Sequence, residues 1–170
     1  LPIYRTDPAL VELAREAGAE VLEDDDGASP ILAHFLGEDC TGYAARTGSD
    51  PRRLVGVDML GDTSTRVTIM TAPGADKAVR DAAIALLATV RKVTAIADSP
   101  GFVGQRIVAM VGNLGCEMAQ MGLAAPDDID TAMRLGLNYP KGPLECTDAL
   151  GATAVRSILS AVQDATGDDR

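Results

Sequence analysis

The sequence predicts an α/β region followed by an all-helical region, with the change near residue 98. Before that point, short β-branched or apolar runs alternate with longer runs of helical periodicity. Such alternation is typical of strands joined by crossover helices, and therefore of parallel strand pairing. After it, only helical periodicity remains. We therefore expect two regions, residues 1–98 and residues 99–170.

The α/β region is predicted to contain six strands and three helices. Asp7 and Pro8 form an N-cap and a first-turn proline, which start a helix that ends at Gly18. A second helix is closed by Gly48, and a third has Val79, Ala83, Leu86 and Leu87 on one face. The predicted strands are Pro2–Tyr4, Glu20–Glu23, Ile31–Leu36, Arg53–Asp58, Arg66–Thr71 and Val93–Ala97, and the second and third helices span Cys40–Arg46 and Asp76–Val90.

The helical region is predicted to contain three helices. Ser99 and Pro100 are expected to cap and start the first, which runs to about Gly122. The second starts at Pro126 and ends near Gly136, and the third runs from Leu150 or Ala152 to Ala165. The first helix carries a broad apolar surface made of Phe102, Val103, Ile107, Met110, Val111, Leu114, Met118 and Met121.

Composition excludes several classes of protein. The net charge of −10 disfavours nucleic acid, for which a basic patch supplies much of the affinity. Three cysteines without CxxC spacing argue against a disulfide framework or a metal site and favour the cytoplasm. The longest apolar stretch, residues 107–125, is interrupted by polar residues, so we expect a buried or interface helix and no membrane span. The chain lacks an initiator Met, which suggests a fragment or a processed product.

Two ordered motifs carry a resemblance to a known family. The first is Asp98-Ser-Pro-Gly-Phe-Val-Gly-Gln-Arg106. The second, within Asp128–Leu144, combines Asp-x-Ala-x-x-x-Gly with Tyr-Pro and Gly-Pro. Together they resemble the helical domain of 3-hydroxyacyl-CoA dehydrogenases, of the 3-hydroxybutyryl-CoA type. The likeness covers about residues 52–165 and is greatest to long bacterial members whose C-terminal portion carries a second, degenerate copy of the unit.

The resemblance implies a Rossmann-like layer, here partial, and a helical domain like the C-terminal domain of 6-phosphogluconate dehydrogenase. In the family the first binds NAD, and the second closes over acyl-CoA and forms the dimer. Here no Gly-x-Gly-x-x-Gly occurs in the chain, so we expect no cofactor on this segment. A homodimer through the Phe102–Met121 helix is expected from the family and from the apolar surface.

The family's catalytic residues are replaced in this sequence. A family His acts as the base and a Glu orients it. Asp58 stands at the His position, and the Glu position falls at Ile69 or Met70. Gln105 replaces the Asn of the first motif, and Glu38–Thr41 matches the family's Ser loop only loosely. No catalytic set is therefore expected to be intact, with Asp58 and Gln105 as degenerate equivalents.

Other candidate residues have a structural interpretation beside the functional one. On the substrate side we name Ser99, Tyr139 and Pro140, although capping explains Ser99 and a rigid turn explains the Tyr-Pro pair. The single histidine, His34, is expected to be a core or edge residue, and Cys116 a small buried one. The acidic run Glu23–Gly27 is expected to be a solvated turn, the alternative being a cation site. Met110, Met118 and Met121 are expected in the core or in a dimer interface.

Two functions remain open from the sequence. The first is the C-terminal segment of an NAD-dependent 3-hydroxyacyl-CoA dehydrogenase of β-oxidation-type fatty-acid metabolism, in which this segment supplies packing and dimerisation. The second is a non-catalytic oligomerisation or regulatory module of the same fold. A third, a different enzyme that uses Asp58 or Glu145 as an acid or base, lacks a partner residue in the sequence. In the first two, the segment itself is expected to be catalytically silent.

Overall fold

The computed structural model describes residues 2–4 and 7–167, with side chains from residue 7 onward. The chain divides into two compact units, Leu1–Phe102 and Val103–Arg170. The first is α/β and the second all-helical, which confirms the predicted order. The elements of the first unit are β1 Pro2–Tyr4, α1 Pro8–Glu16, β2 Glu20–Leu22, β3 Ile31–Ala33, α2 Cys40–Thr47, β4 Leu54–Asp58, β5 Arg66–Thr71, α3 Lys77–Leu87 and β6 Lys92–Ile96.

The six strands form one sheet in the order β2-β1-β3-β4-β5-β6. All pairings are parallel except β4 with β5, which is antiparallel with Val55 opposite Thr71. The expectation of parallel crossovers was therefore wrong at this one connection. Residues 59–65, which join the two strands, contain no helix and are too few for a parallel crossover.

Helices cover both faces of the sheet. Helices α1 and α3 pack on one face and α2 on the other, because alternate residues of each strand point to opposite sides. One core contains Leu10, Leu13, Ala14, Leu32, Val55, Val57, Val67, Ile69, Ala83 and Leu87. The other contains Ile31, Ala33, Phe35, Cys40, Tyr43, Ala44, Leu54, Met70, Ala72 and Phe102.

The second unit has four helices among its described residues, one more than expected. They are α4 Gly104–Gln120, α5 Pro126–Leu137, α6 Pro143–Leu150 and α7 Ala152–Thr166. Helix α6 was missed because the Gly-Pro pair at residues 142–143 was not interpreted as a helix start. Pro143 instead occupies the first helical position of α6, where its missing N–H costs nothing.

The start of α4 also differs from the prediction. Ser99 and Pro100 do not begin the helix, whose N-cap is Val103. Gly101 and Phe102 both have positive φ, 73° and 46°, and consecutive left-handed residues cannot continue a right-handed helix. Phe102 is buried in the core of the first unit. The predicted dimerising helix Phe102–Met121 therefore begins two residues later, and Phe102 is not part of its surface.

No described helix is long and apolar enough to cross a membrane.

Candidate functional site

The residue predicted to stand at the family's histidine position, Asp58, lies at the end of a buried central strand. Asp58 is the last residue of β4 and is only 6% exposed. One of its carboxylate oxygens accepts the N–H of Leu60 at 3.1 Å. His34 Nδ1 lies 3.2 Å from the carbonyl oxygen of Val57 and accepts the N–H of Met59 at 3.2 Å. The single histidine thus contacts the backbone on both sides of Asp58. It is half-buried and follows β3, an interior strand of the sheet.

The two alternative residues predicted for the family's glutamate position are both core residues. Ile69 and Met70 lie in β5, and each is at most 1% exposed. Ile69 packs in the core under α1 and α3, and Met70 in the core under α2. Neither side chain can orient or charge an imidazole. The two side chains therefore contribute to packing, on opposite faces of the sheet.

The N-terminus of α2 is occupied by carboxylates of the chain itself. Asp98 accepts the N–H of Cys40 at 2.7 Å and both the N–H and the hydroxyl of Thr41, at 3.1 and 2.6 Å. Asp39, the N-cap, accepts the N–H of Gly42 at 2.6 Å. These bonds use the free N–H groups and the positive end of the helix dipole, which otherwise favour an external anion.

Cys40 is shielded in the same place. Its thiol donates to the carbonyl oxygen of Met70 at 3.3 Å. Burial, followed by the negative charge of Asp98, raises its pKa to about 12. The thiol therefore stays protonated at neutral pH and is unsuited to act as a nucleophile.

The first unit does not fit a dinucleotide. The N-terminus of α1 is capped by Asp7, whose carboxylate accepts two backbone N–H groups at 2.8 and 3.2 Å. Of the described residues, four carboxylates and one cation line the groove beside it, which has a volume of about 750 Å³: Asp7, Glu12, Glu23 and Asp24, with Arg15. A pyrophosphate normally binds at such a helix N-terminus near the carboxyl ends of the strands. Here it would meet carboxylates, so the described residues of this groove do not fit the pyrophosphate of NAD.

The acidic run next to this groove is partly tied to a buried arginine. Arg53, 7% exposed, donates to both carboxylate oxygens of Asp25, at 2.8 and 2.6 Å. The carboxylate of Asp26 accepts hydrogen bonds from the hydroxyl and N–H of Ser29 and from the N–H of Ala28. These hydrogen bonds lower the pKa of Asp26 to about 2. Among the described residues, no group of three potential metal ligands is close enough to hold an ion. The run forms a turn, as expected.

The first motif spreads over both units. Ser99 and Pro100 are half-buried residues in the segment before α4. Gly101 donates its N–H to the carbonyl oxygen of Glu38 at 3.2 Å, within the first unit. Gln105, predicted to stand at the position of the family's Asn, lies in the first turn of α4 and is fully buried. The structure thus places Gln105 and Asp58 in different units of the chain.

In the second motif, Asp130, Gly142 and Glu145 make a set of contacts at the start of α6, here called the clasp. Asp130, 7% exposed, accepts the N–H groups of Leu144 and Glu145 at 2.8 and 3.2 Å. Gly142 lies so close to Asp130 that a Cβ there would overlap its carboxylate. Glu145 accepts the N–H of Gly142 at 2.8 Å and pairs with Arg134. The motif's Asp and Gly-Pro are therefore explained by capping and close packing.

The clasp fixes the loop that carries two of the predicted substrate-side residues. Asn138 ends α5 in the left-handed conformation, with φ 55°. Tyr139 and Pro140 follow it, both exposed, with Tyr139 at 40%. The loop is held at one end by this cap and at the other by Gly142. Contact with a substrate stays a prediction for Ser99, Tyr139 and Pro140.

Helix α4 is oriented with its large apolar side chains outward. Its buried residues are Gln105, Ala109, Gly112 and Gly115. The glycines allow close approach of α6, since a Cβ on Gly115 would lie 2.6 Å from Pro143 Cβ. The exposed large apolar residues, here called the α4 stripe, are Val103, Ile107, Met110, Leu114 and Met121, at 43–73% exposure. At about 100° per residue, the stripe falls within about 60° around the helix axis, opposite the buried face.

Sequence reasoning missed this arrangement because it assigned a role only to the large residues. The signal was available in Ala109, Gly112 and Gly115, whose spacing of three and three places them on one face. The expectation of a buried Cys116 was also wrong: the thiol is exposed. Of the methionines expected in the core or in an interface, Met110 and Met121 belong to the α4 stripe and Met118 is half-buried.

Comparison with known proteins agrees with the two motifs. Residues 101–170 match the family described as 3-hydroxyacyl-CoA dehydrogenase, C-terminal domain. The chain is 37% identical, over 88% of its length, to 3-hydroxyadipyl-CoA dehydrogenase of Escherichia coli K12, of which it covers 30%. It is 31% identical, over 61% of its length, to 3-hydroxybutyryl-CoA dehydrogenase of Clostridioides difficile, of which it covers 37%.

A solved structure agrees with these relatives. The crystal structure of 3-hydroxybutyryl-CoA dehydrogenase from Escherichia coli K12 superimposes with a TM-score of 0.72 at 33% identity. The match covers 88% of this chain and 32% of that one. The chain thus spans about a third of the length of these relatives. By its two motifs, its matched domain and its fold, the chain is similar to 3-hydroxyacyl-CoA dehydrogenases, and its residues 101–170 belong to the C-terminal domain of that family.

Proposed function

We propose that the chain is the C-terminal segment of a longer NAD-dependent 3-hydroxyacyl-CoA dehydrogenase. The complete enzyme would be cytoplasmic and oxidise a 3-hydroxyacyl-CoA to the 3-oxoacyl-CoA in β-oxidation-type metabolism. This segment would be a degenerate copy of the unit, with a partial Rossmann-like layer in residues 1–98 and a helical domain in residues 99–170. The match of residues 101–170 to a C-terminal domain supports this assignment.

The segment itself supplies an association surface and no chemistry. The proposal is supported by Asp58 at the predicted position of the family's base and by buried Ile69 or Met70 at that of its acid. Asp7 and Asp98 also occupy two helix N-termini. Hydride transfer to NAD coupled to proton removal needs a base near a bound nicotinamide. The described residues hold neither arrangement, so turnover belongs to another part of the complete enzyme.

The observation that carries the association is the outward orientation of α4. A surface helix normally buries its large apolar stripe and exposes small or polar residues. Here Ala109, Gly112 and Gly115 face the unit's own helices, while Ile107 and Leu114 are more than half exposed. A contiguous apolar stripe of this kind marks an interaction site. A second copy of the chain would bury it in a symmetric dimer, in which the same stripe faces itself.

Sedimentation velocity of the chain and two variants tests this association. Leu114→Asp places a charge in the α4 stripe and should give monomers, because an unpaired buried charge is costly. Asn113→Asp adds the same charge to an exposed position about a quarter turn away, and should leave the dimer intact. At concentrations below the dissociation constant of the dimer, where association adds no stability, both variants should keep the unfolding midpoint of the parent. A monomeric parent at high concentration would contradict the association.

Turnover by the isolated chain tests the assignment of chemistry elsewhere. With NAD and 3-hydroxybutyryl-CoA we expect no formation of NADH. Detectable turnover would contradict a silent segment. The alternative of a non-catalytic module of the same fold shares the association but predicts that the complete polypeptide also lacks turnover. An active complete polypeptide that loses its activity when an upstream His–Glu pair is replaced would support the enzyme assignment.

A further inference from the structure

We propose that Met110 and Met121 make the association of this chain sensitive to oxidation. The inference rests on the proposed function, since it concerns the surface through which two copies would meet. The chain has six methionines. Only these two are among its exposed large apolar side chains, at 43% and 73% exposure.

The other four methionines are less exposed to solvent. Their oxidation rates can therefore be compared with those of Met110 and Met121 in the same protein. Met70 is 1% exposed and packs in the core under α2. Met59, Met118 and Met133 are half-buried. Because oxidation of a thioether requires access of the oxidant to sulfur, Met121 and Met110 should react first and Met70 last.

Met110 and Met121 lie on the same face of helix α4. Met110 and Met121 are eleven residues apart, which returns to within about 20° around the helix axis. Leu114 lies between them on the same stripe, and Ile107 continues it toward the N-terminus. Both sulfurs therefore belong to the surface whose apolar character the association requires.

Oxidation of the thioether by hydrogen peroxide makes these apolar side chains polar. The sulfur lone pair attacks one oxygen of hydrogen peroxide, the S–O bond forms as the O–O bond breaks, and the released hydroxide takes up the remaining proton to leave water. Sulfur is oxidised and peroxide is reduced. The product is a polar sulfoxide whose oxygen loses its hydrogen bonds to water if it is buried between two apolar stripes.

The reaction acts on dissociated copies. In an associated pair the stripe is covered, so both sulfurs are protected, and oxidation of a free copy prevents it from pairing again. The rate of oxidation at Met110 should therefore fall as the protein concentration rises through the dissociation constant, while the rate at Met59, outside the stripe, should not change.

Peroxide treatment followed by sedimentation and peptide mass spectrometry tests the inference. Treatment is stopped when Met110 and Met121 are sulfoxides and Met70 is unmodified, with circular dichroism unchanged. The dissociation constant of the dimer should then rise at least about tenfold. Methionine sulfoxide reductases should restore it, whereas dithiothreitol, which reverses mild oxidation of the exposed Cys116, should not.

The double variant Met110→Leu/Met121→Leu is the matched control, since leucine keeps the apolar volume and has no sulfur. It should associate like the parent and keep its dissociation constant after peroxide. A parent that is dimeric before treatment and equally dimeric with both sulfoxides in place would overturn this inference and leave the proposed association standing. A parent that is monomeric from the start would overturn both.

Discussion

Gly142 is restricted to glycine by its neighbour rather than by its backbone. Its φ of −73° is accessible to every residue. A Cβ would overlap the carboxylate of Asp130, which must stay in place to accept the N–H groups of Leu144 and Glu145. Gly142→Ala should therefore lower the free energy of unfolding by about 1–3 kcal/mol, measured by urea denaturation.

Gly136→Ala is the matched control. Gly136 lies within α5, and a Cβ added there would meet no described atom within 4 Å beyond the backbone of its own helix. Alanine is the better helix former, so this variant should raise the free energy of unfolding by about 0.5–1 kcal/mol. Equal destabilisation by both variants would show that the Asp130 contact does not constrain Gly142.

The stability that the clasp contributes depends on pH through the carboxylate of Glu145. The backbone N–H of Gly142, and then Arg134, lower the pKa of Glu145 below its usual 4.5. A lowered pKa in the folded state adds stability that is present above pH 4.5 and is lost as the pH falls through the folded value. Glu145→Gln should therefore show a weaker loss of stability between about pH 5 and pH 3 than the parent.

Urea denaturation at a series of pH values measures this difference. Asp148→Asn, an exposed position of the same helix α6, should leave the acid-side slope of the parent unchanged. If Glu145→Gln and the parent lose stability in parallel, the bond between Glu145 and Gly142 does not contribute to folding.

The sequence was sufficient to recognise the second motif but not to predict the contacts that its residues make. Asp130, Gly142 and Pro143 were recognised as a pattern from their order and spacing. The Asp130 carboxylate caps α6 by accepting N–H groups 14 and 15 residues away in the chain. Only the folded structure shows this contact, because local sequence rules do not connect residues so far apart. The same limit applies to Asp98, whose bonds to Cys40 and Thr41 span 58 and 57 residues.

At the scale of elements, periodicity located most strands and helices but not the inward face of α4. The sequence indicated an apolar helix, and the usual expectation buries its largest side chains. The structure instead buries Ala109, Gly112 and Gly115, since small residues let α6 approach closely. The spacing of these three small residues indicates the inward face, whereas the periodicity of the large apolar residues alone indicates the opposite one.

Gly115 tests the close packing of these two helices. A Cβ at this position would lie 2.6 Å from Cβ and 3.0 Å from Cγ of Pro143, whose ring cannot rotate away. Gly115→Ala should lower the free energy of unfolding by about 1–3 kcal/mol despite the higher helix propensity of alanine. Gln120→Ala, at an exposed position of α4, should change it by less than about 0.5 kcal/mol. A stabilised Gly115→Ala would refute close packing at this point.

Two local signals at the ends of elements were ambiguous for a common reason. Ser-Pro at residues 99–100 and Gly-Pro at residues 142–143 both precede a helix in the sequence. Only the second begins one, because Gly101 and Phe102 take positive φ values after the first. Proline fixes its own φ but not the conformation two residues later, so the pair alone could not decide where α4 starts.

At the scale of the whole molecule, charge and apolar surface act in opposite directions on association. Each copy carries a net charge of −10, so two copies repel each other, whereas the α4 stripe favours contact. Salt screens repulsion between exposed charges and does not weaken apolar burial. The dimer should therefore tighten as sodium chloride is raised from about 20 to about 300 mM, where the screening length falls below about 10 Å. Sedimentation equilibrium at both salt concentrations measures the dissociation constant, and Leu114→Asp should stay monomeric in each. Weaker association at high salt would instead indicate that complementary charges, and not the α4 stripe, hold the copies together.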